Sequence, residues 1–286
     1  MKANGTKGKL VIIGGGEDKQ GDCGILKEFI RLAGGAKARI AIMTVATDEP
    51  EEYADEYEKV FKKLGVDDAR MVDVSNRKDA QDPKALEIIE RATGIFFTGG
   101  DQLHITSLMG GTGMQELIRR KYGEGAVLGG TSAGAAMMSN SMIIRGESNC
   151  TPRFGGLEIG PGMDFLPGAM IDTHFSQRGR FGRLLTAVAH YPQDLGFGID
   201  ENTALVASDG KLEVIGENTV TVVDAGDITY TNLPDLEKDQ ALTLHGVRIH
   251  VLSTGHKFDL EKRAPIDGTE KAEKGKAATA GKAKDN

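Results

Sequence analysis

The stretch Gly130-Thr131-Ser132-Ala133-Gly134 lies between an apolar run, residues 126–128, and the helix-forming residues 135–138. A strand that turns sharply into a helix places its middle residue in a strained backbone conformation, with glycine on both sides because a side chain there would clash. Such a turn raises the Ser132 hydroxyl above the edge of a sheet and directs the Ala133 N–H to where an oxyanion would form. The pentapeptide therefore predicts the nucleophile elbow of a serine hydrolase; the alternative is a tight glycine turn with an incidental serine.

Length and composition fit an enzyme with one large domain. At 286 residues the chain can bury a full α/β core. The net charge is −7, and residues 261–286 carry seven Lys/Arg against five Asp/Glu, which leaves −9 on the first 260 residues and disfavours nucleic acid as a partner. The sequence has no apolar run of about 18 residues and no basic and apolar leader, so we expect a cytoplasmic protein without membrane contact.

The two cysteines, Cys23 and Cys150, are too few for a disulfide framework or a cysteine-based zinc site. No His/Asp/Glu cluster has the spacing of metal ligands. We therefore expect neither a metal ion nor a cofactor.

Strand and helix patterns alternate through the first half of the chain, which predicts an α/β fold with a doubly wound, mostly parallel sheet. The later short strands with hairpin turns predict a β-rich C-terminal extension of the same domain, residues 1–260. From residue 261 the Lys/Ala/Gly-rich composition predicts a disordered tail, residues 261–286. The predicted strands include residues 10–13, 39–44, 70–74, 94–97, 169–172, 195–199, 203–207, 212–215 and 220–223, and the predicted helices residues 25–33, 50–64 and 83–91.

Two glycine turns follow predicted strands. Gly14-Gly15-Gly16 lacks the third glycine of a dinucleotide fingerprint, because Lys19 stands in its place, which leaves a plain βα turn or a wall of a cleft. Gly99-Gly100 ends the strand predicted to lie beside the elbow strand. We expect the Gly100 N–H to complete an oxyanion hole with the Ala133 N–H; a structural glycine turn is the alternative.

A serine nucleophile requires a base, and His174 is the best placed of six histidines. It follows a predicted strand and precedes Ser176, a predicted helix N-cap, so it lies in a strand-to-helix loop where catalytic side chains collect. The best carboxylate partner is Glu201, which also follows a short strand. The order Ser, His, Glu differs from the order in the α/β-hydrolase fold and predicts another fold.

Four segments together resemble the serine peptidase family that contains the cyanophycinases and aspartyl dipeptidase: residues 97–102, 130–135, 171–184 and 198–204. The resemblance covers about residues 8 to 258. It implies a flavodoxin-like fold related to the glutamine amidotransferases, a homodimer, and serine-type exopeptidase hydrolysis of cyanophycin to β-Asp-Arg dipeptides through an acyl-enzyme. Cyanophycin is a polyaspartate that bears arginine on each β-carboxyl. The resemblance implies Ser132 as nucleophile, His174 as base and Glu201 as its partner.

The segment after His174 is rich in arginine. A helix capped by Ser176 would carry an apolar stripe with Arg178 on the same face and Arg180 and Arg183 at its margin. Cations in the first turns of a helix oppose its dipole, and guanidinium groups bind carboxylates bidentately. We therefore expect these three arginines to bind substrate carboxylates, and Asp172 to bind the substrate guanidinium; the alternative is that the arginines cover the core and pair with surface acids.

Gln102 and Thr173 complete the predicted substrate pocket. Thr173 stands where the family is expected to have glutamine, which changes the detail of the pocket. Three functions therefore remain open: cyanophycin hydrolysis, a broader aspartyl or isoaspartyl dipeptidase activity, and a catalytically silent binding protein with the same fold. The intact set of Ser132, His174 and Glu201 favours an enzyme, and the serine excludes a cysteine amidotransferase.

Overall fold

The computed structural model of this chain describes residues 8–266. Within this range the α-helices are α1 (Gly24–Ala33), α2 (Pro50–Lys63), α3 (Pro83–Arg91), α4 (Gln102–Met109), α5 (Gly113–Glu124), α6 (Ala133–Ala136) and α7 (Phe181–His190). The strands are β1 (Leu10–Ile13), β2 (Arg39–Met43), β3 (Asp68–Val72), β4 (Gly94–Phe97), β5 (Val127–Thr131), β6 (Ser141–Gly146), β7 (Leu157–Pro161), β8 (Ala169–Thr173), β9 (Leu195–Ile199), β10 (Thr203–Ser208), β11 (Lys211–Gly216), β12 (Thr219–Asp224), β13 (Tyr230–Thr231), β14 (Leu244–His245), β15 (Arg248–Ser253), β16 (Lys257–Asp259) and β17 (Ala264–Ile266).

The central sheet of the described residues has nine strands in the order β3-β2-β4-β5-β1-β10-β11-β16-β17. The first five of these are parallel, and the four that follow are antiparallel. Of the parallel strands, β1 and β4 are buried along their whole length, which explains why they are continuous apolar runs in the sequence. Their carboxyl ends meet at one edge of the sheet, where ligands of open α/β sheets bind.

A second sheet, in the order β15-β12-β9-β8, lies beside the central one. Strands β8 and β9 are parallel and in register from Ala169 with Leu195 to Thr173 with Ile199. The segments that follow these two strands therefore leave the second sheet side by side. Strands β6 and β7 form a separate antiparallel pair, and β13 pairs with β14.

The core lies on both faces of the central sheet. On one face, α1 and α2 contribute aromatic rings that pack around Phe96 of β4, with centroid distances of 5.3 Å to Phe29, 4.8 Å to Tyr57 and 5.6 Å to Phe61. On the other face, α3, α5 and α6 and the second sheet form one large apolar cluster. Burial on both faces holds the parallel strands rigid and fixes the positions of the loops at their ends.

The structure confirms the predicted α/β class and the β-rich extension at the C-terminal end. The predicted N-cap at Ser176 is wrong, because α7 begins five residues later, at Phe181. Residues 175–179 form a turn instead, in which the Arg180 N–H donates to the Phe175 carbonyl and Gly179 takes a left-handed φ of 58°. A left-handed residue ends a helical segment, so the helix starts only after it.

Most of the predicted tail lies outside the described residues. Its first part differs from the prediction, since β17 pairs with β16 from Ala264 to Ile266. Arg263 fixes this segment to the body by donating to the Asp224 carboxylate, with an Nη2 to Oδ1 distance of 2.5 Å, and to the Gln193 carbonyl at 2.9 Å. Within residues 8–266 no helix combines the length and the apolar composition needed to cross a membrane.

We predict that Arg263→Ala lowers the free energy of unfolding by about 2 to 3 kcal/mol. The Asp224 carboxylate is only 2% exposed, and this substitution would remove the hydrogen bonds that Arg263 donates to it. The matched control is Arg248→Ala, which removes a half-exposed partner of the same carboxylate and should cost less than about 1 kcal/mol. Urea unfolding measures both variants. Equal losses would contradict the role assigned to Arg263.

Candidate active site

Ser132 lies at the turn between β5 and α6 with a φ of 53° and a ψ of −110°, a strained conformation for a residue with a side chain. Its N–H donates to the Ile13 carbonyl at 3.1 Å. A Cβ at Gly130 would lie 2.2 Å from the Gly134 carbonyl oxygen, and one at Gly134 would lie 2.4 Å from the Phe97 carbonyl oxygen. The two glycines are therefore required for the turn to close, and the local structure is a strand, a tight turn and a helix, with Ser132 at the turn.

His174 and Glu201 lie next to Ser132 in space. The Nε2 of His174 is 2.9 Å from the Ser132 Oγ, and its Nδ1 is 2.7 Å from the Glu201 Oε1. A carboxylate only accepts hydrogen bonds, so Nδ1 donates to Glu201 and the Nε2 lone pair faces the serine hydroxyl. The structure thus brings together the three residues that the sequence singles out, in the order required for base-assisted activation of a serine.

The loop after β8 holds the His174 ring in place. The His174 N–H donates to the Gly14 carbonyl at 2.7 Å, and the Phe175 N–H donates to the Ile199 carbonyl at 3.2 Å. Asp200, which is 5% exposed, accepts from the Ser176 N–H with one oxygen and from the Thr219 hydroxyl with the other. These bonds tie the histidine loop to the strand ends that carry Glu201.

Burial lowers the pKa of His174 below its ordinary value of 6.5, because the charged imidazolium loses contact with water. The hydrogen bond to Glu201 raises this pKa and the nearby Arg178 and Arg180 lower it, with burial the largest effect. At neutral pH the ring is therefore mostly neutral, which is the state in which Nε2 can accept the serine proton.

The two predicted oxyanion-hole donors are free to bind a ligand. Among residues 8–266, neither the Gly100 N–H nor the Ala133 N–H has a hydrogen-bond partner. Gly100 has a φ of 141°, and a Cβ there would lie 1.9 Å from the Ala46 carbonyl oxygen, so only glycine fits. A Cβ at the preceding Gly99 would lie 3.6 Å from the Ser132 Cβ, which places this turn directly beside the nucleophile.

The arginines and Asp172 occupy a different arrangement from the predicted one. Arg183, at 9% exposure, donates to the Asp172 carboxylate through Nε, at 2.9 Å from Oδ2, and through Nη2. Arg180 donates to the Thr173 carbonyl at 2.6 Å and lies 3.4 Å from the Asp172 Oδ1. Asp172 is 1% exposed and engaged on both oxygens, so the expected contact between it and a substrate guanidinium is not supported.

Arg178 remains available for a ligand. It is exposed, and among the described residues its guanidinium has no hydrogen-bond or ion-pair partner. Burial lowers the pKa of Arg180 to about 10, so this second guanidinium is still charged at neutral pH. Ser132 opens onto a cleft of about 340 Å³ whose lining carries four guanidinium groups and two carboxylates. The cleft is electropositive although the whole chain carries a charge of −7.

The other two predicted pocket residues line the same cleft. The Gln102 amide donates to the Ile143 carbonyl at 2.9 Å and to the Ile144 carbonyl at 2.7 Å, which fixes strand β6 as a wall of the cleft. Only its amide oxygen is left for a ligand. Thr173 is 5% exposed and its carbonyl is taken by Arg180, so its contribution to the cleft is that of a short, buried side chain.

Sequence reasoning missed the residues that support the site. Asp200 joins the histidine loop to β12, Gln177 accepts from the Glu201 N–H at 3.1 Å, and Asn202 accepts from the Asp18 N–H at 2.9 Å. Each bridges segments that are far apart in the chain. A sequence pattern carries no signal for such contacts beyond the polar character of the residues near Glu201.

Sequence similarity identifies the family of this chain. The profile of Peptidase family S51 matches residues 10–215, which is more than half of the chain. The chain belongs to Peptidase family S51. The cyanophycinase of Geminocystis herdmanii is 39% identical over 264 residues, covering 92% of this chain and 97% of the relative, and that of Trichormus variabilis is 38% identical over 263 residues, covering 91% and 88%.

A solved structure shares the fold. The crystal structure of a peptidase from an acI-B1 actinobacterium matches with a TM-score of 0.64 and 21% identity, covering 88% of this chain and 96% of the other. At this identity the likeness supports the architecture alone. The family assignment depends on the sequence matches.

We predict that the His174 imidazole titrates below 6.5 in an NMR pH titration, because burial disfavours its charged form. Arg178→Gln should raise this pKa by removing a nearby positive charge, and Glu201→Gln should lower it by removing the carboxylate that stabilises the imidazolium. Arg145→Gln, which changes a cleft arginine that is not among the groups shifting this pKa, is the control and should leave it unchanged. A wild-type pKa above 6.5 would contradict the conclusion that burial lowers the pKa of His174 more than the hydrogen bond to Glu201 raises it.

Proposed function

We propose that this S51 peptidase hydrolyses cyanophycin as a serine-type exopeptidase and releases β-Asp-Arg dipeptides. The observation that carries the proposal is the chain of hydrogen bonds from Glu201 through His174 to Ser132, with distances of 2.7 and 2.9 Å, which ends at a serine that lines an arginine-rich cleft. The similarity to cyanophycinases over about nine tenths of the chain supports the choice of substrate. A homodimer, which the family resemblance implies, and a cytoplasmic location, which the composition predicts, belong to the same proposal.

In the acylation step the Ser132 Oγ attacks the scissile carbonyl carbon while His174 Nε2 takes the hydroxyl proton. The negative charge that develops on the carbonyl oxygen is stabilised by the N–H groups of Gly100 and Ala133. Collapse of the tetrahedral intermediate breaks the C–N bond, and the imidazolium returns its proton to the leaving amine. Glu201 keeps Nδ1 protonated and stabilises the imidazolium, without itself taking the proton.

In the deacylation step a water molecule attacks the acyl-enzyme ester, and His174 Nε2 takes its proton as before. The second tetrahedral intermediate uses the same two N–H donors. Its collapse returns the proton to Ser132 Oγ and releases the carboxylic acid. The lowered pKa of His174 keeps the base neutral at the start of both steps.

The charge of the cleft fits a substrate that presents carboxylates. Each repeat of cyanophycin carries the free α-carboxylate of its arginine, and the end of the chain carries another. Arg178 is the exposed guanidinium with no partner among the described residues, and it can bind such a carboxylate bidentately. Arg180 and Arg183 have a different role, because both guanidinium groups are paired with the Asp172 carboxylate. Their side chains are mostly buried, and they make the electrostatic potential of the cleft positive without direct contact with the substrate.

We predict that Ser132→Ala reduces the rate of cyanophycin hydrolysis about 10⁴-fold or more, since the nucleophile is lost, while the melting temperature is retained. Purified cyanophycin is the substrate, and chromatography of the products identifies the dipeptide. Ser208→Ala is the control, because this half-buried serine lies at the far end of β10 and its hydroxyl donates to the Asp209 carboxylate. Near-normal hydrolysis by the Ser132→Ala protein would end the serine-peptidase proposal.

We predict that Arg178→Gln raises KM for cyanophycin about tenfold, because the lost charge-assisted bond to a substrate carboxylate corresponds to roughly 1.4 kcal/mol. The matched control is Arg31→Gln, an exposed arginine on α1 outside the cleft, which should leave KM unchanged. A KM equal to the wild-type value in the Arg178→Gln protein would exclude Arg178 from substrate binding.

The substrate comparison separates cyanophycin hydrolysis from the dipeptidase alternative. The dipeptidase alternative is retained because Thr173 stands where the family is expected to have glutamine, and its side chain reaches less far into the cleft. The same assays use short aspartyl and isoaspartyl dipeptides beside the polymer. A wild-type protein that cleaves these dipeptides and leaves cyanophycin intact would favour the dipeptidase.

A further inference from the structure

The glycine loop, residues 14–18 after β1, is a sequence motif that the catalytic mechanism above does not use. It contacts the segments of all three proposed catalytic residues. A Cβ at Gly15 would lie 2.3 Å from Cε1 of the His174 ring, and one at Gly16 would lie 3.2 Å from the carboxyl carbon of Glu201. Both glycines also have a positive φ, of 95° and 57°. The loop therefore forms the surface on which the imidazole and its carboxylate partner rest.

Backbone hydrogen bonds hold the loop to the same segments. The Gly14 carbonyl accepts from the His174 N–H at 2.7 Å, and the Gly15 carbonyl accepts from the Asn202 N–H at 2.9 Å. The Asp18 N–H donates to the Asn202 side chain at 2.9 Å. The position of the loop therefore sets the positions of His174 and Glu201 together.

Glu17 joins this loop to the nucleophile turn. Its side chain is buried, at 6% exposure, and its Oε2 accepts from the Thr131 hydroxyl at 2.6 Å. Thr131 is the residue immediately before Ser132. The other oxygen, Oε1, accepts from the Tyr57 hydroxyl of α2. Among the described residues no cation pairs with Glu17, so two hydroxyl donors satisfy a buried carboxylate.

We propose that Glu17 is a positioning residue for the hydrolytic reaction, which holds the nucleophile turn at a set distance from the glycine loop against which His174 and Glu201 rest. This inference rests on the proposed serine-peptidase function. The bond from Thr131 is a side-chain link between the nucleophile turn and the glycine loop, in addition to the direct bond between Ser132 and His174. Its loss removes one of the bonds that hold the strained Ser132 turn, beside the bond from the Ser132 N–H to the Ile13 carbonyl, and allows the turn to shift relative to the imidazole.

A shift of this kind affects catalysis rather than substrate binding. A misplacement of about 1 Å between nucleophile and base costs roughly a hundredfold in rate. Neither Glu17 nor Thr131 lines the substrate cleft. The expected signature is therefore a lower kcat with an unchanged KM, accompanied by slower reaction of Ser132 with a small serine-directed reagent.

The experiment compares variants of the full-length protein that change one hydrogen bond at a time. Thr131→Val removes the donor at nearly constant volume and should lower kcat about tenfold to a hundredfold with KM unchanged. Thr131→Ser restores the hydroxyl and should restore kcat. Tyr57→Phe is the matched control, because it removes the other donor to the same carboxylate on the side away from Ser132. It should lower the melting temperature and leave kcat unchanged.

The second readout is the rate at which a fluorophosphonate labels Ser132, a reaction in which a P–O bond forms and fluoride leaves. Thr131→Val should slow this labelling by a factor similar to its loss in kcat, and Tyr57→Phe should not slow it. If Thr131→Val does not fold, Glu17→Gln replaces it, since the amide keeps the size of the side chain and removes the charge that strengthens both bonds. The same two readouts apply.

Three results would overturn the inference: a wild-type kcat in Thr131→Val, a loss carried by KM alone, or equal losses of kcat in Thr131→Val and Tyr57→Phe. The failure of the proposed function gives a different result, because the Ser132→Ala protein would then still hydrolyse the substrate. A Ser132→Ala protein without activity, together with Thr131→Val at the wild-type rate, would reject only the role of Glu17.

Discussion

The parallel pairing of β1 with β5 is the constraint on which the site depends. It places Ile13 beside Thr131, so that the two strands end together and their following turns emerge side by side. The Ser132 N–H then donates back to the Ile13 carbonyl. On the other side of β1, the Gly14 N–H donates to the Thr203 carbonyl at the start of β10. One strand thus brings the nucleophile turn, the glycine loop and the Glu201 segment to a common edge.

The second sheet brings His174, the proposed base, to this edge. Strands β8 and β9 are parallel, so the segments that carry His174 and Glu201 leave their strands next to each other. The buried Asp200 carboxylate ties both segments to Thr219 of β12. The histidine and its carboxylate are consequently held by packed strands rather than by a mobile loop, as a catalytic constellation requires if it is to avoid reorganisation during the reaction.

The buried pair of Asp172 and Arg183 lies in the wall of the cleft. A buried carboxylate without a partner would cost several kcal/mol, and the bidentate guanidinium offsets this cost. Arg180 adds a second guanidinium to the same carboxylate, so the group as a whole remains positive. The cleft can therefore attract an anionic ligand, and within residues 8–266 Arg178 has no partner at its surface.

The sequence by itself determined the α/β class, the strands of the parallel core and the placement of Ser132, His174 and Glu201 after strands, because local apolar periodicity and turn residues encode these features. It did not predict α5, the β6–β7 pair or the start of α7 at Phe181. Only the tertiary structure decided that Asp172 binds Arg183, that Gln102 anchors β6, and that Glu17 bonds to Thr131, 114 residues away. These contacts depend on strand register and loop direction, which bring distant side chains into one buried volume and leave no local pattern in the chain.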